Sequence, residues 1–187
     1  MIVALTGFMG CGKSTFGRKA ADTLGWSFYD LDKEIVRQFG PIQRIFAIHG
    51  ESYFRERETI VLRQLLESAG NTIIALGGGT IIQPENRLML KEKATTIWIK
   101  APVSLMLYEI SLNRKRPLIK GRSNDQIIEL YNSRVPMYQE VAYAIMEVDD
   151  TDSDSNAIEL SAKINQLIDR YKKTERKADI LWGAWRS

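Results

Sequence analysis

Nine consecutive residues near the start constrain this chain more than anything else in it. Gly7-Phe8-Met9-Gly10-Cys11-Gly12-Lys13-Ser14-Thr15 matches the pattern G-x-x-x-x-G-K-[ST] in full. It follows an apolar run, Ile2-Val3-Ala4-Leu5, and opens a segment of helical pattern, the context in which this motif cradles phosphate. Glycines let the backbone bend and bring its N–H groups close to phosphate oxygens. The helix starting near Lys13 aims its N-terminal dipole at the anion. Lys13 can reach β- and γ-phosphates, and the Ser14 hydroxyl can ligate Mg²⁺. The alternative is a glycine-rich turn without a ligand; the complete pattern in its strand-to-helix setting favours nucleotide binding. Gly10, Cys11, Gly12, Lys13, Ser14 and Thr15 are the candidate ATP-binding residues, with Cys11 read as a small filler whose backbone matters. The motif does not name the acceptor. GTPases, ATPases and kinases share it, but the guanine-reading run N-K-x-D occurs nowhere in the chain.

Short β-rich runs alternate with longer amphipathic ones, which predicts a parallel sheet with crossover helices. Candidate strands are Ile2–Leu5, Ser27–Tyr29, Thr72–Ala75, Thr96–Ile99 and Ala144–Val148. Candidate helices begin near Lys13, Leu31, Pro41, Tyr53, Pro84, Val103, Asn124 and Asn156, with Pro102 and Ser123-Asn124 as start signals. A length of 187 residues with 44% hydrophobic content suits one domain, taken as residues 1–173, with a charged and then Trp-rich tail at 174–187. The formal charge of +3 gives no case for nucleic acid. The single cysteine allows no internal disulfide, which suits a reducing, cytoplasmic setting. The apolar start is too short for a signal peptide, and no stretch approaches the roughly 20 apolar residues of a membrane span.

Other residues draw attention by position. Asp30-Leu31-Asp32 follows the second strand, at the end where a doubly wound sheet forms its ligand crevice. One carboxylate there can hold Mg²⁺ through water while the other meets an acceptor hydroxyl; the plain alternative is a helix N-cap. Arg55 and Glu58 are neighbours on one helix face, so Glu58 can fix the guanidinium to fork onto a carboxylate, unless the pair is only a solvated ion pair. Gly77-Gly78-Gly79 closes the third strand, as a turn or as a place where a ligand meets backbone. The basic segment Arg114-Lys115-Arg116-Pro117-Leu118, within a region near 112–124, suits a lid that excludes water and carries a charge-neutralising arginine. Pro136 in Arg134-Val135-Pro136-Met137-Tyr138 should bend or end its helix and turn Arg134 toward the crevice. His49, the sole histidine, precedes Gly50, where a helix is expected to end, and is read as a cap.

Taken in order, these motifs resemble the shikimate kinase family, within the small P-loop kinases related to nucleoside monophosphate kinases. The resemblance runs from Met1 to about Asp149. It implies a three-layer α/β P-loop kinase fold, with a five-stranded parallel sheet of order 2-3-1-4-5 and helices on both faces. It implies transfer of the ATP γ-phosphate to the 3-hydroxyl of shikimate by a monomer using Mg²⁺, without nucleic acid or membrane partners. Under it, Asp32 holds the shikimate hydroxyls as candidate base, alongside Lys13 and Arg116 as catalytic groups. Ser14 and Asp30 serve the metal. Arg55, Arg134 and the Gly78–Gly79 backbone grip shikimate, Glu58 supports Arg55, Phe46 and Phe54 wall the pocket, and Arg116 also meets ATP from the lid. The chain departs from the family in two places. Leu107-Tyr108-Glu109-Ile110 lacks the arginine that lies over adenine, and Asp150 to Asp154 stands where a basic residue is usual. Rival readings are a gluconate-type or nucleotide kinase of the same fold, or a catalytically silent nucleotide-binding module.

Overall fold

Five short runs of β-branched and apolar residues form the strands: β1 Ile2–Thr6, β2 Ser27–Asp30, β3 Thr72–Ala75, β4 Thr95–Lys100 and β5 Ala144–Glu147. In the computed structural model they make one parallel sheet in the order β2-β3-β1-β4-β5. Val3 sits between Ile73 and Thr95 in register, so β1 is the central strand. The structure describes residues 1–68, 70–112, 119, 121–148 and 152–183, with side chains described to residue 170. The whole basic segment 114–118, Arg116 included, and Asp150 therefore lie outside the described residues.

Parallel strands need crossovers. Among the described residues six α-helices supply them, α1 Lys13–Leu24, α2 Leu31–Phe39, α3 Ile42–Leu65, α4 Pro84–Lys93, α5 Val103–Leu112 and α6 Asn124–Val141, and α7 Ser153–Gly183 follows the last strand. Successive residues Val3–Thr6, Thr72–Ala75 and Thr96–Ile99 are all buried, although neighbours in a strand point to opposite faces. Both faces of the central strands are thus covered, which gives three layers. The core joins strand residues such as Leu5, Ile73 and Ile97 to Leu31, Leu62, Leu90 and Ile164 from helices.

The capping signals operate as chemistry predicts. Asp30 accepts the Lys33 N–H at 3.1 Å to start α2. Ser123 and Gln126 form a reciprocal capping box at α6, an arrangement whose loss typically costs about 1 kcal/mol. Pro84 opens α4.

Two local expectations differ in detail. The helices predicted near Pro41 and Tyr53 form one element, α3, broken at Gly50, where φ 78° and ψ 179° suit glycine alone. His49 precedes that break and packs its ring 4.5 Å from Tyr53. Pro136 does not end α6, which continues to Val141. Arg134, Tyr138 and Val141 are buried along it, and that packing outweighs the one backbone bond a proline removes. No helix among the described residues is long and apolar enough to cross a membrane.

Candidate active site

The phosphate loop joins β1 to α1. Gly10 and Gly12 have φ of 82° and 84°, and a Cβ on Gly12 would lie 2.2 Å from the Phe16 ring, so this bend admits only glycine. No side chain caps α1, which leaves its first N–H groups to a ligand. Lys13 is 7% exposed and donates to the Gly7 and Phe8 carbonyls at 2.8 Å each, curling back over the loop. Cys11 is buried, with Sγ 3.5 Å from Lys13 Nζ. Ser14 Oγ donates to Asp30 Oδ2 at 2.5 Å. Asp30 thus caps α2 with one oxygen and reaches the phosphate loop with the other. A cavity of about 320 Å³ opens over the loop, lined by Gly10 to Phe16, Asp30, Asp32, Gly78 and Glu109 among others.

A second cavity, of about 120 Å³, lies beside the first. It is lined by Asp32, Phe46, Phe54, Arg55, Glu58, Gly78, Gly79 and Arg134, together with Met9, Ile42, Gln43 and Gly77. Met9, Asp32 and Gly78 line both cavities and mark their border. Phe46 and Phe54 pack at 4.9 Å on one side.

The two arginines are held differently. Arg55 donates through Nη1 to Glu58 at 2.7 Å, and through Nε and Nη2 to Glu51 at 3.3 and 3.0 Å. Glu58 is 1% exposed, and its other oxygen accepts from Thr80 Oγ1 at 2.7 Å. This is a buried, directly hydrogen-bonded pair, not a solvated one. Burial acts to lower the Arg55 pKa, but Glu58 and then Glu51 together outweigh it, and the net shift is upward. Arg134 is 3% exposed and bonds no carboxylate among the described residues. Its Nη1 donates to Gly78 O at 3.3 Å, and its Nε has no partner among them. Burial lowers its pKa; nearby Tyr138 opposes that shift and the like charge of Arg55 adds to it. Two buried guanidiniums therefore face one cavity, one of them without a bonded carboxylate among the described residues. Such a place favours an anion.

The glycine triplet has a physical reason that the strand-end position alone does not reveal. A Cβ on Gly79 would stand 2.7 Å from Arg55 Nη2, and one on Gly77 would stand 2.9 Å from both Asp32 Oδ1 and Glu58 Oε1. Side chains of the second cavity occupy the space where these Cβ atoms would be. The Gly78 carbonyl accepts from Tyr138 O–H at 2.6 Å as well as from Arg134.

Every expected site residue within the described part lines one of the two cavities. Sequence reasoning missed Glu51, Thr80 and Tyr138. Helical spacing carried a signal for two of them, since Glu51 lies four residues before Arg55 and Tyr138 four after Arg134. Thr80 directly follows the triplet.

Comparison with known proteins identifies the family. The shikimate kinase family profile matches residues 9–173. The shikimate kinase of Nitrosomonas europaea is 36% identical over 177 residues, covering 94% of this chain and 80% of that protein. The shikimate kinase of Acinetobacter baumannii is 39% identical over 168 residues, covering 89% and 91%. A solved structure of shikimate kinase from Acinetobacter baumannii in complex with shikimate superposes with a TM-score of 0.82 at 38% identity, covering 91% of this chain and 94% of that one. A deoxyadenosine kinase from M. mycoides, at 18% identity and a TM-score of 0.63 over 89% of this chain and all of that one, shares the fold alone. On sequence and structure together, this chain belongs to the shikimate kinase family.

Proposed function

We propose that this chain transfers the γ-phosphate of ATP to the 3-hydroxyl of shikimate, giving shikimate 3-phosphate and ADP on the route to chorismate and the aromatic amino acids. The observation that carries the reading is the shared border of the two cavities, where Asp32 stands between a phosphate cradle and a pocket with two buried arginines. ATP seats its phosphates on the loop from Gly10 to Thr15, and Lys13 exchanges its carbonyl partners for phosphate oxygens. The acid's carboxylate lies against Arg55 and Arg134, with Phe46 and Phe54 beside its ring, Gly78 and Gly79 offering backbone contacts, and Glu58 holding Arg55 in place. A unit-charge pair at contact is worth about 4 kcal/mol at an effective dielectric near 20, before desolvation. That preference selects an acid over a neutral polyol.

In the transfer, the acceptor hydroxyl gives its proton to Asp32 and its oxygen bonds to the γ-phosphorus. The bond from that phosphorus to the β,γ-bridging oxygen breaks, and ADP leaves. The residues also fit Mg²⁺. The Ser14 hydroxyl and Asp30 carboxylate present two oxygens at the loop. Among the described residues no cluster of three or more His, Cys, Asp or Glu forms a cage, which suits an ion that takes its remaining ligands from water and phosphates. Ser14 would hold it directly and Asp30 through water. Bound there, it neutralises charge developing on the phosphates. Arg116, on a lid near 112–124, closes over ATP and excludes water. The same reading has residues 1–173 act as one kinase domain, in the cytoplasm and as a monomer, with 174–187 as a tail.

A coupled ADP-release assay with shikimate, gluconate and a panel of nucleosides and nucleotides tests this. Shikimate-dependent release well above the others is expected. Equal release with gluconate or with a nucleotide, or none with any acceptor, overturns it.

A further inference from the structure

Tyr138 lies outside the reaction just described, yet it is fully buried beside the second cavity, at 0% exposure. Its ring stacks on Trp98 at 5.8 Å between centroids. Its O–H donates to Gly78 O at 2.6 Å, the shortest contact that carbonyl makes, while Arg134 approaches the same oxygen at 3.3 Å. One helical turn of α6 therefore sends two donors onto one carbonyl at the border of both cavities. Burial pushes the Tyr138 pKa well up, which keeps the phenol protonated and a donor at all ordinary pH.

The consequence follows from peptide geometry. The Gly78 C=O and the Gly79 N–H belong to one planar trans unit and point in opposite directions. Glycine on both sides of this unit leaves the peptide free to rotate unless something fixes it. Tyr138 holds the carbonyl end, so the N–H end faces away from α6. Gly79 lines the second cavity, and its N–H meets no backbone acceptor among the described residues. We propose that Tyr138 is a positioning residue for the acid substrate: its hydroxyl locks the Gly78–Gly79 peptide so that the Gly79 N–H is presented to the acid as a fixed donor, and it keeps Arg134 in line through the shared carbonyl. This rests on the functional reading above for the identity of the acid. It assigns to a buried phenol the task of orienting a backbone group.

Tyr138→Phe removes only the hydroxyl and keeps the ring on Trp98. The KM for shikimate should rise about tenfold, the scale of one lost buried hydrogen bond, while the KM for ATP stays within twofold. In ¹⁵N-glycine-labelled protein, the Gly79 amide should shift when shikimate is added to the wild type and shift much less in the variant. A role confined to stability would lower the melting temperature and leave the KM for shikimate and the amide response unmoved; that result overturns the proposal. So does an equal rise in both KM values. If the variant does not fold, the wild-type amide alone decides, since a Gly79 N–H that ignores shikimate overturns it too. A wild-type chain without shikimate-dependent turnover would sink the substrate reading and this inference together, whereas an active wild type with an unresponsive Tyr138→Phe removes only the role of Tyr138.

Discussion

Asp32 and Arg134 test the proposed chemistry from opposite ends. Asp32 lines both cavities, and in the proposed transfer its carboxylate serves the acceptor hydroxyl more than the nucleotide. Asp32→Asn keeps the shape and removes the base. It should lower kcat by about 10²- to 10⁴-fold with the KM for ATP nearly unchanged, read by steady-state kinetics with each substrate varied. Unchanged turnover removes Asp32 from the mechanism. Arg134 has a deep, under-paired guanidinium, and hydrogen bonds to charged groups are the strong ones. Arg134→Ala should raise the KM for shikimate about 10- to 100-fold and spare ATP; equal losses for both substrates refute the carboxylate assignment. At this scale the sequence was informative where a residue's type and its strand-end position coincide, as at Lys13, Asp32 and Gly78. It offered for Tyr138 only its spacing from Arg134, and for Thr80 only its place after the triplet, because their hydrogen-bond partners lie far along the chain, 60 residues away for Tyr138 and Gly78, 22 for Thr80 and Glu58. A phenol or hydroxyl in a helical pattern carries no mark of such a distant acceptor.

Among the elements, α3 and the strand-end triplet show how local signals and packing divide the work. Gly50 breaks α3 at a backbone conformation that glycine alone tolerates, and the sequence marked a helix end there. The merging of both halves into one element depends on tertiary packing, which local pattern does not reveal. Gly79 is the opposite case. Its φ of −111° suits any residue, so conformation does not explain the glycine. The space does, because a methyl group would sit 2.7 Å from Arg55 Nη2. Arg55 is pinned by Glu58 and Glu51 and has little room to retreat. Gly79→Ala should therefore displace the guanidinium and raise the KM for shikimate at least about tenfold, with a stability loss of about 1–3 kcal/mol from overpacking. Paired kinetic and urea-unfolding measurements check this. A normal KM for shikimate would mean that Arg55 does not need its observed place. Pro136 gives the complementary lesson: the local rule for proline held weight in isolation, and the buried Arg134–Tyr138–Val141 face overrode it.

At the scale of the whole molecule, the sheet order decides where chemistry can occur. β2, β3 and β1 are adjacent, so Asp30 and Asp32, the glycine triplet and the phosphate loop emerge side by side from strands far apart in sequence. Alternating patterns made five strands legible, but neighbour order came from family resemblance, because pairing is a long-range property that periodicity does not encode. The same sheet buries Tyr138 against Trp98 of β4, and this has a measurable consequence for stability. Burial raises the Tyr138 pKa above the ordinary tyrosine value of 10.0, and burial raises that of Tyr131 as well. In the unfolded chain both phenols ionise near pH 10, while in the fold they hold their protons to higher pH. Above that pH the unfolded state therefore binds fewer protons, and stability must fall as pH rises. The contribution is complete below pH 10 and is lost as pH climbs through the folded-state values. Lys100, raised by its bond to Glu147, adds to the same limb, so the wild-type curve alone does not isolate the phenol. Tyr138→Phe does. Its stability should fall less steeply than that of the wild type above pH 10, by up to one proton's worth, about 1.4 kcal/mol per pH unit. Urea unfolding of both proteins from pH 8 to about 11.5 reads this difference. Parallel curves would mean that Tyr138 ionises as readily in the fold as outside it, which its burial and its bond to Gly78 forbid.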